Sequence, residues 1–183
     1  MAVSGNLSVV IRKLRPEDAG LLEKWLSDQE VLQYYEGRDR PHDAELVQRH
    51  FYENKDEVHA CIIQYNAVDI GYIQYYEIKS EEAEEVGLAI HPGELVYGMD
   101  QFIGEASYWN RGIGTKLLEF MIRYLTRECG VDRIIMDPQE WNQRAIHVYE
   151  KVGFRKVKLL SNHEWHEGTY RDCWLMEFAV QKE

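Results

Sequence analysis

Residues 96–137, read as VYGMDQFIG (96–104), EASYWNRGIGTKLLEFMIRYLTRECG (105–130) and VDRIIMD (131–137), decide the fold. The first nine are a mostly apolar run of strand length, ended by glycine. Leu117, Leu118, Met121, Ile122 and Leu125 then recur at helical spacing and mark a long helix, with Gly130 as its stop. VDRIIMD is a short apolar run of the kind a buried strand shows. A strand, a helical crossover and a second strand in one sheet put the two strands parallel, with a right-handed connection.

Working outward, the upstream part starts with a strand over LSVVIRKLR (7–15), whose Val9 and Ile11 alternate. Pro16-Glu17-Asp18 opens a helix, since proline presets the first turn and acids suit the positive end of the dipole. Leu21, Leu22, Trp25 and Leu26 form its apolar face. VLQYYEGRDR (31–40) reads as a loop, and a second amphipathic helix follows near residues 43–54. VHACIIQY (58–65) and VDIGYIQYYEI (68–78) are strands separated only by Asn66-Ala67, the length of a two-residue hairpin turn. The acidic run EEAEE (81–85) reads as a solvated loop. Downstream, NQRAIHVYEKVGF (142–154) is a helix closed by Gly153, and residues 154–160 and 172–180 give the last two strands. The element order is β-α-α-β-β-β-α-β-α-β-β. It predicts an α/β (α+β) fold with a mixed central sheet flanked by helices, in one domain over residues 1–183.

Composition narrows the function. Hydrophobic residues make up 45% of the chain, enough for a packed core. The three cysteines, Cys61, Cys129 and Cys173, form no CxxC pair, so reduced and mostly buried thiols in a cytoplasmic setting are expected. The N-terminal residues lack the pattern of a signal peptide, and no apolar run approaches the roughly 18 residues of a membrane span. The 32 acidic against 21 basic residues give a formal charge of −11, which disfavours nucleic acid and favours cationic partners. His163-Glu164-Trp165-His166 falls short of the zinc signature H-E-x-x-H, because position 167 is glutamate; no metal is expected. Asn6-Leu7-Ser8 is a glycosylation sequon without secretory context.

The chemistry sits in Arg111-Gly112-Ile113-Gly114-Thr115, at the entry to the long helix. Glycines there let the backbone approach a ligand, and unsatisfied first-turn amides at the positive dipole end suit a pyrophosphate. The loop is neither a Walker sequence nor G-x-G-x-x-G, since Leu117 stands where the third glycine belongs. About thirty residues on comes N-x-x-A-I-x-x-Y-E-K-x-G-F, from Asn142 to Phe154. Together the two segments resemble the GNAT acetyltransferase superfamily, with a splayed pair of parallel strands. Trp109 departs from the pattern, which usually has Gln or Arg at that place.

A closer resemblance runs over about residues 7–180. VYGMDQFIGEASYWNRGIGT, DPQEWNQRAIHVYEKVGF, HEWHEGTYRDCWLMEF and YEGRD (35–39) look like segments of aminoglycoside 6′-N-acetyltransferases. The nearest likeness is to the acetyltransferase half of the bifunctional acetyltransferase–phosphotransferase resistance enzymes. The resemblance implies transfer of acetyl from acetyl-CoA to a 6′-amine. It assigns cofactor contacts to Phe102, Ile103, Arg111, Gly112, Ile113, Gly114, Thr115 and Asn142. Asp100, a lone acid in an apolar strand, is the expected base, and Tyr149 the acid that protonates the leaving thiolate. Glu36, Asp100, Asp137 and Asp172 are the expected substrate-binding carboxylates, with the 81–85 run a lesser candidate. The alternatives are acetylation of another small amine or hydroxylamine such as a siderophore precursor, acetylation of a protein N-terminus, and a CoA-sensing domain without turnover. A monomer or homodimer fits equally.

Overall fold

The computed structural model describes residues 9–53 and 57–180. The sequon at Asn6–Ser8, the first two residues expected for the first strand (7 and 8) and the last expected for the second helix (54) lie outside those residues. Seven strands form one sheet in the order β1-β2-β3-β4-β5-β7-β6. The strands are β1 (Val9–Lys13), β2 (Val58–Tyr65), β3 (Val68–Glu77), β4 (Val96–Ile103), β5 (Arg133–Met136), β6 (Arg155–His166) and β7 (Thr169–Ala179). Helices α1 (Ala19–Trp25), α2 (Gln29–Leu32), α3 (Ala44–Phe51), α4 (Ser80–Glu85), α5 (Ile113–Arg127) and α6 (Gln143–Lys151) connect them.

The chain divides into two compact units, and both are discontinuous. The first holds the chain up to Tyr75, Asp100–Ile113 and His166–Gly168; the second holds Tyr76–Met99, Gly114–Trp165 and the chain from Thr169 on.

In the first unit β1 pairs antiparallel with β2, Val9 opposite Tyr65 and Lys13 opposite Cys61. Asn66 and Ala67 both take positive φ (50° and 63°), the mirror-image turn that matches the twist of the strands it joins. The core gathers Leu22, Trp25, Leu26, Val31, Leu32, Val47, Phe51, Ile62, Tyr72 and Phe102. It includes the apolar face read for α1, although Pro16–Asp18 forms a 3₁₀ turn ahead of that helix. Asp18 is buried yet paired, its two oxygens accepting from Arg12 at 2.7 and 2.8 Å. Asp43 caps α3 by accepting from the Leu46 N–H at 2.8 Å.

In the second unit β4 and β5 run parallel, Val96 paired with Arg133, Tyr97 with Ile134 and Gly98 with Ile135. This is the crossover geometry expected around α5. β5 pairs antiparallel with β7 from Arg133–Ala179 to Met136–Met176. Arg133 holds the start of β5 by donating to Glu94 and Glu177 at 2.7 and 2.8 Å. A second core joins Ala83, Leu88, Val96, Ile135, Leu160, Cys173 and Leu175.

Three sequence expectations are corrected. EEAEE is helical, not a loop: Lys79 donates its N–H to Glu82 at 2.9 Å and Ala83 buries itself as the anchor. Within VLQYYEGRDR, Val31 and Leu32 belong to α2, capped by Asp28. β6 runs past the expected 154–160 to His166, and β7 starts at Thr169 instead of Asp172, leaving a turn at Glu167-Gly168, both at positive φ. The three thiols are free, with Cys61 and Cys173 buried and both pushed up by burial, Cys61 to about 11.

Candidate active site

The strand that carries Asp100 is placed by its pairing with β3. Ile78 donates its N–H to the Val96 carbonyl at 2.8 Å, and Gly104 donates to the Ile70 carbonyl at 2.8 Å. The register is the same at both ends, so β3 and β4 run antiparallel and Gln74 stands opposite Asp100. The side chains meet accordingly: Gln74 Nε2 donates to Asp100 Oδ2 at 2.8 Å, and Tyr72 donates its hydroxyl to Gln74 Oε1 at 2.8 Å. The half-buried carboxylate thus takes a hydrogen bond from a neutral amide in this chain, Tyr72–Gln74–Asp100.

Alternation in an antiparallel ladder sends the peptide groups of one residue to its partner and those of the next residue away from it. Val96 and Gly104 point to β3, so Asp100 and Phe102 do too. Gln101 and Ile103 therefore turn their N–H groups to the other edge of β4. The ladder with β5 covers Val96, Tyr97 and Gly98, and Asp100–Ile103 lie beyond its last pair. Phe102, which the resemblance places among the cofactor contacts, packs its ring in the first core against Trp25, Tyr35 and Tyr72. Gln101 was not among the residues expected from the sequence, because only the pairing register shows which amides face away from β3.

Two close approaches hold this strand. A Cβ on Gly71 would lie 2.3 Å from the Phe102 carbonyl oxygen, and one on Gly104 would lie 2.2 Å from the Trp25 ring. Trp25 also donates its indole N–H to Glu105 at 2.9 Å. Trp109, where Gln or Arg was expected, donates its indole N–H to the Ile103 carbonyl at 2.8 Å and meets Tyr34 edge-on. Its nitrogen is a donor with one hydrogen, already used, so the side chain pins the end of β4.

The glycine loop follows. Gly112 has φ 73°, a conformation that favours glycine, and no atom lies within 4 Å of a Cβ placed there. α5 begins at Ile113, whose side chain is buried, so that residue offers its amide. Gly114 is ordinary helix; the nearest atom to an added Cβ is Val148 Cγ1 at 3.9 Å. Among the described residues outside its own helix, nothing lies close enough to such a Cβ to clash with it. Arg111 is exposed and lies over the Tyr108 ring at 5.4 Å, and Thr115 is half-buried in the first turn.

In the second unit Asn142 caps α6, its carboxamide oxygen accepting from the Ala145 N–H at 3.2 Å. The cap leaves the amide hydrogens for another role. Tyr149 is half-buried in the last turn of that helix, its ring 6.0 Å from Phe154.

The four expected substrate carboxylates fall into two pairs. Glu36 and Asp100 are in the first unit, where Tyr35 packs on Phe102 with ring centroids 4.6 Å apart. Asp137 and Asp172 are in the second and converge on adjacent residues of β6. Asp137 is 3.0 Å from His163 Nε2, a contact that raises the affinity of that imidazole for a proton. Asp172 accepts from the N–H of Asn162, whose φ of 50° breaks the regular run of β6. Glu36, itself at φ 70°, lies 3.7 Å from Arg40. The neighbouring Arg38 grips Glu167 with two side-chain bonds of 2.6 and 2.7 Å, which holds that carboxyl at about 2. Asp100 accepts from a neutral side-chain amide and Asp172 from a backbone N–H.

The Acetyltransferase (GNAT) domain family matches residues 15–161. Aminoglycoside N(6′)-acetyltransferase type 1 of Klebsiella pneumoniae is 30% identical over 159 residues, 85% of this chain and 78% of that protein. The crystal structure of aminoglycoside acetyltransferase AAC(6′)-Ib in complex with coenzyme A and kanamycin superposes with a TM-score of 0.76. It is 27% identical and covers 94% of this chain and 95% of that one. Spermidine N-acetyltransferase from Vibrio cholerae, at 14% identity and TM-score 0.74, shares the fold.

Proposed function

We propose, from the premise that this chain belongs to the GNAT acetyltransferase family, that it transfers acetyl from acetyl-CoA to the 6′-amine of aminoglycosides. One observation carries the reading: the likeness to aminoglycoside acetyltransferases runs through sequence and fold together over most of the chain. It therefore takes in the glycine loop, β4 and the acid-bearing loops alike. The activity is the kind that confers resistance.

The chain's residues divide the work. Gly112 to Thr115 present the outward amides and positive dipole end of α5 to the pyrophosphate of coenzyme A. Arg111 adds an exposed positive charge beside them. The bare Gly114 fits that cradle, because a side chain there would fill the space the phosphate needs. Outward N–H groups on the Gln101–Ile103 edge pair with the pantetheine arm as an added strand does and polarise the thioester carbonyl. Asn142 uses its amide hydrogens on the same arm.

An aminoglycoside amine is largely protonated near neutral pH and must lose a proton before it attacks. Asp100 takes it, directly or through water, while Gln74 fixes the carboxylate in place. The free amine attacks the thioester carbonyl and the carbon–sulfur bond breaks; the departing thiolate takes a proton from Tyr149, and the second proton shed by the acylated nitrogen restores the tyrosine, through water. Glu36, Asp137 and Asp172 supply negative charge for the remaining ammonium groups, and the acidic balance of the chain steers the substrate in. The enzyme works in a reducing cytoplasmic setting, as a monomer or homodimer, without nucleic acid or a membrane. Among the described residues no helix is long and apolar enough to cross one.

The deciding assay is thiol release from acetyl-CoA with matched aminoglycosides that carry or lack a 6′-amine. Turnover of the first group and none of the second is expected. Normal acetyl-CoA binding with no turnover of any 6′-amino compound would overturn the substrate class and leave the family.

A further inference from the structure

Glu36, His42 and His50 bring one ligand atom each within 4.8 Å of one another. We propose that these three residues bind a divalent transition cation of the zinc class. The site lies in the first unit and shares Glu36 with the proposed substrate-binding carboxylates, so a bound ion takes that charge from the substrate, while His42 and His50 have no part in the transfer.

The geometry of His42 is that of a prepared ligand. The residue is almost wholly buried at 1% exposure. Its backbone is fixed on both sides: the N–H donates to the Leu26 carbonyl at 2.9 Å, and the carbonyl accepts from Ser27 at 3.2 Å. Nδ1 lies 3.0 Å from the Arg40 carbonyl oxygen. A carbonyl only accepts, so Nδ1 carries the hydrogen and, in the neutral ring, Nε2 carries the lone pair. A backbone carbonyl on the far nitrogen is the usual device that orients a metal-binding imidazole.

That lone pair faces His50 Nδ1 at 3.0 Å. Without an ion the contact is an N–H···N hydrogen bond from His50. A cation takes the place of the shared hydrogen, and the His50 proton moves to its Nε2. Both imidazoles are held by helix α3: His42 immediately precedes the capping Asp43, and His50 is in the last turn. Glu36 completes the set from the preceding loop, where its positive φ and the Gly37 N–H bonds to the Leu32 and Tyr35 carbonyls fix the turn.

Ligands about 2.1 Å from a tetrahedral cation stand about 3.4 Å apart, so Glu36 needs to close by little more than about 1 Å. Arg40, its present neighbour at 3.7 Å, is half exposed and can turn into solvent. Two nitrogens and one carboxylate oxygen suit Zn²⁺, Co²⁺ or Ni²⁺ and leave a position for water. No sequence spacing announces the trio, because a loop and the two ends of a helix supply it.

The test uses untagged full-length protein stripped of metal by chelator, titrated with Co²⁺ alone and followed by its visible absorption, then with Zn²⁺ by calorimetry. One equivalent of Co²⁺, displaced by Zn²⁺, is expected. His50→Ala removes a half-exposed ligand without opening the core and should abolish that band while its metal-free melting curve stays cooperative. Glu36→Gln, which keeps shape and loses charge, should weaken Zn²⁺ binding about tenfold or more. No absorption change in folded wild type, or equal binding by His50→Ala, would overturn the proposal. Either result leaves the acetyltransferase reading untouched, since no step of that reaction uses the ion.

Discussion

At residue scale the site turns on how a few side chains are held. Asp100 accepts from Gln74, a neutral donor that orients the carboxylate without cancelling its charge. Asp100→Asn keeps the shape and removes the base. We expect kcat/KM at neutral pH to fall by about 10² to 10⁴-fold, with part of the loss regained at higher pH as the substrate amine deprotonates unaided. A pH profile for the variant that parallels wild type would put the base elsewhere. Tyr149→Phe deletes one hydroxyl from a half-buried ring, so kcat should drop by a similar factor while coenzyme A affinity, read by calorimetry, barely moves. A loss of less than about threefold would make the residue a packing aromatic. Gly114→Val has room within the protein, as Val148 at 3.9 Å is the nearest neighbour of an added Cβ. The variant should fold normally by circular dichroism yet bind acetyl-CoA about tenfold more weakly or worse, a difference of about 1.4 kcal/mol. Unchanged affinity would remove the loop from the site.

At the scale of elements, the sequence was most readable where local chemistry and packing agree. The two residues Asn66-Ala67 could only be a tight hairpin, and the apolar stripe of α5 could only be a buried helix face. It was least readable where an element is exposed. β6 carries polar residues such as Ser161, Asn162 and His163 along most of its length, so no alternation betrays it. α4 buries only Ala83. The glycine loop and Asn142 were visible as motifs, but the pairing of Gln74 with Asp100 and the outward amide of Gln101 depend on a strand register that spacing does not encode. That register makes its own prediction. Gly71→Ala drives a methyl against the Phe102 carbonyl at 2.3 Å, and backbone cannot yield as a side chain does. The variant should lose about 1–3 kcal/mol in denaturant unfolding, and its acetyl-CoA KM should rise, because β4 is displaced along the edge that Ile103 occupies. A destabilised protein with an unaltered KM would separate that edge from the cofactor.

For the whole molecule, the formal charge of −11 belongs to the same account. Attraction between exposed charges is screened over about 8–10 Å at physiological salt. Raising ionic strength should therefore lower kcat/KM for a polycationic aminoglycoside much more than it weakens acetyl-CoA binding. Equal sensitivity would assign the acidity to solubility alone.

The interleaved connectivity of the two units also bears on how the protein is made. Neither unit is a continuous stretch of chain: the first needs His166–Gly168, and the second needs residues on both sides of Asp100–Ile113. At translation speeds of roughly 5–20 residues per second, the nascent chain spends most of its synthesis unable to complete either one. β5 in particular waits for β7, translated about forty residues later, to supply its antiparallel neighbour. A premature stop codon anywhere before Gly168 thus leaves no finished half to survive. Ribosome-bound intermediates of this chain should instead be clients for chaperones until nearly the last strand has emerged.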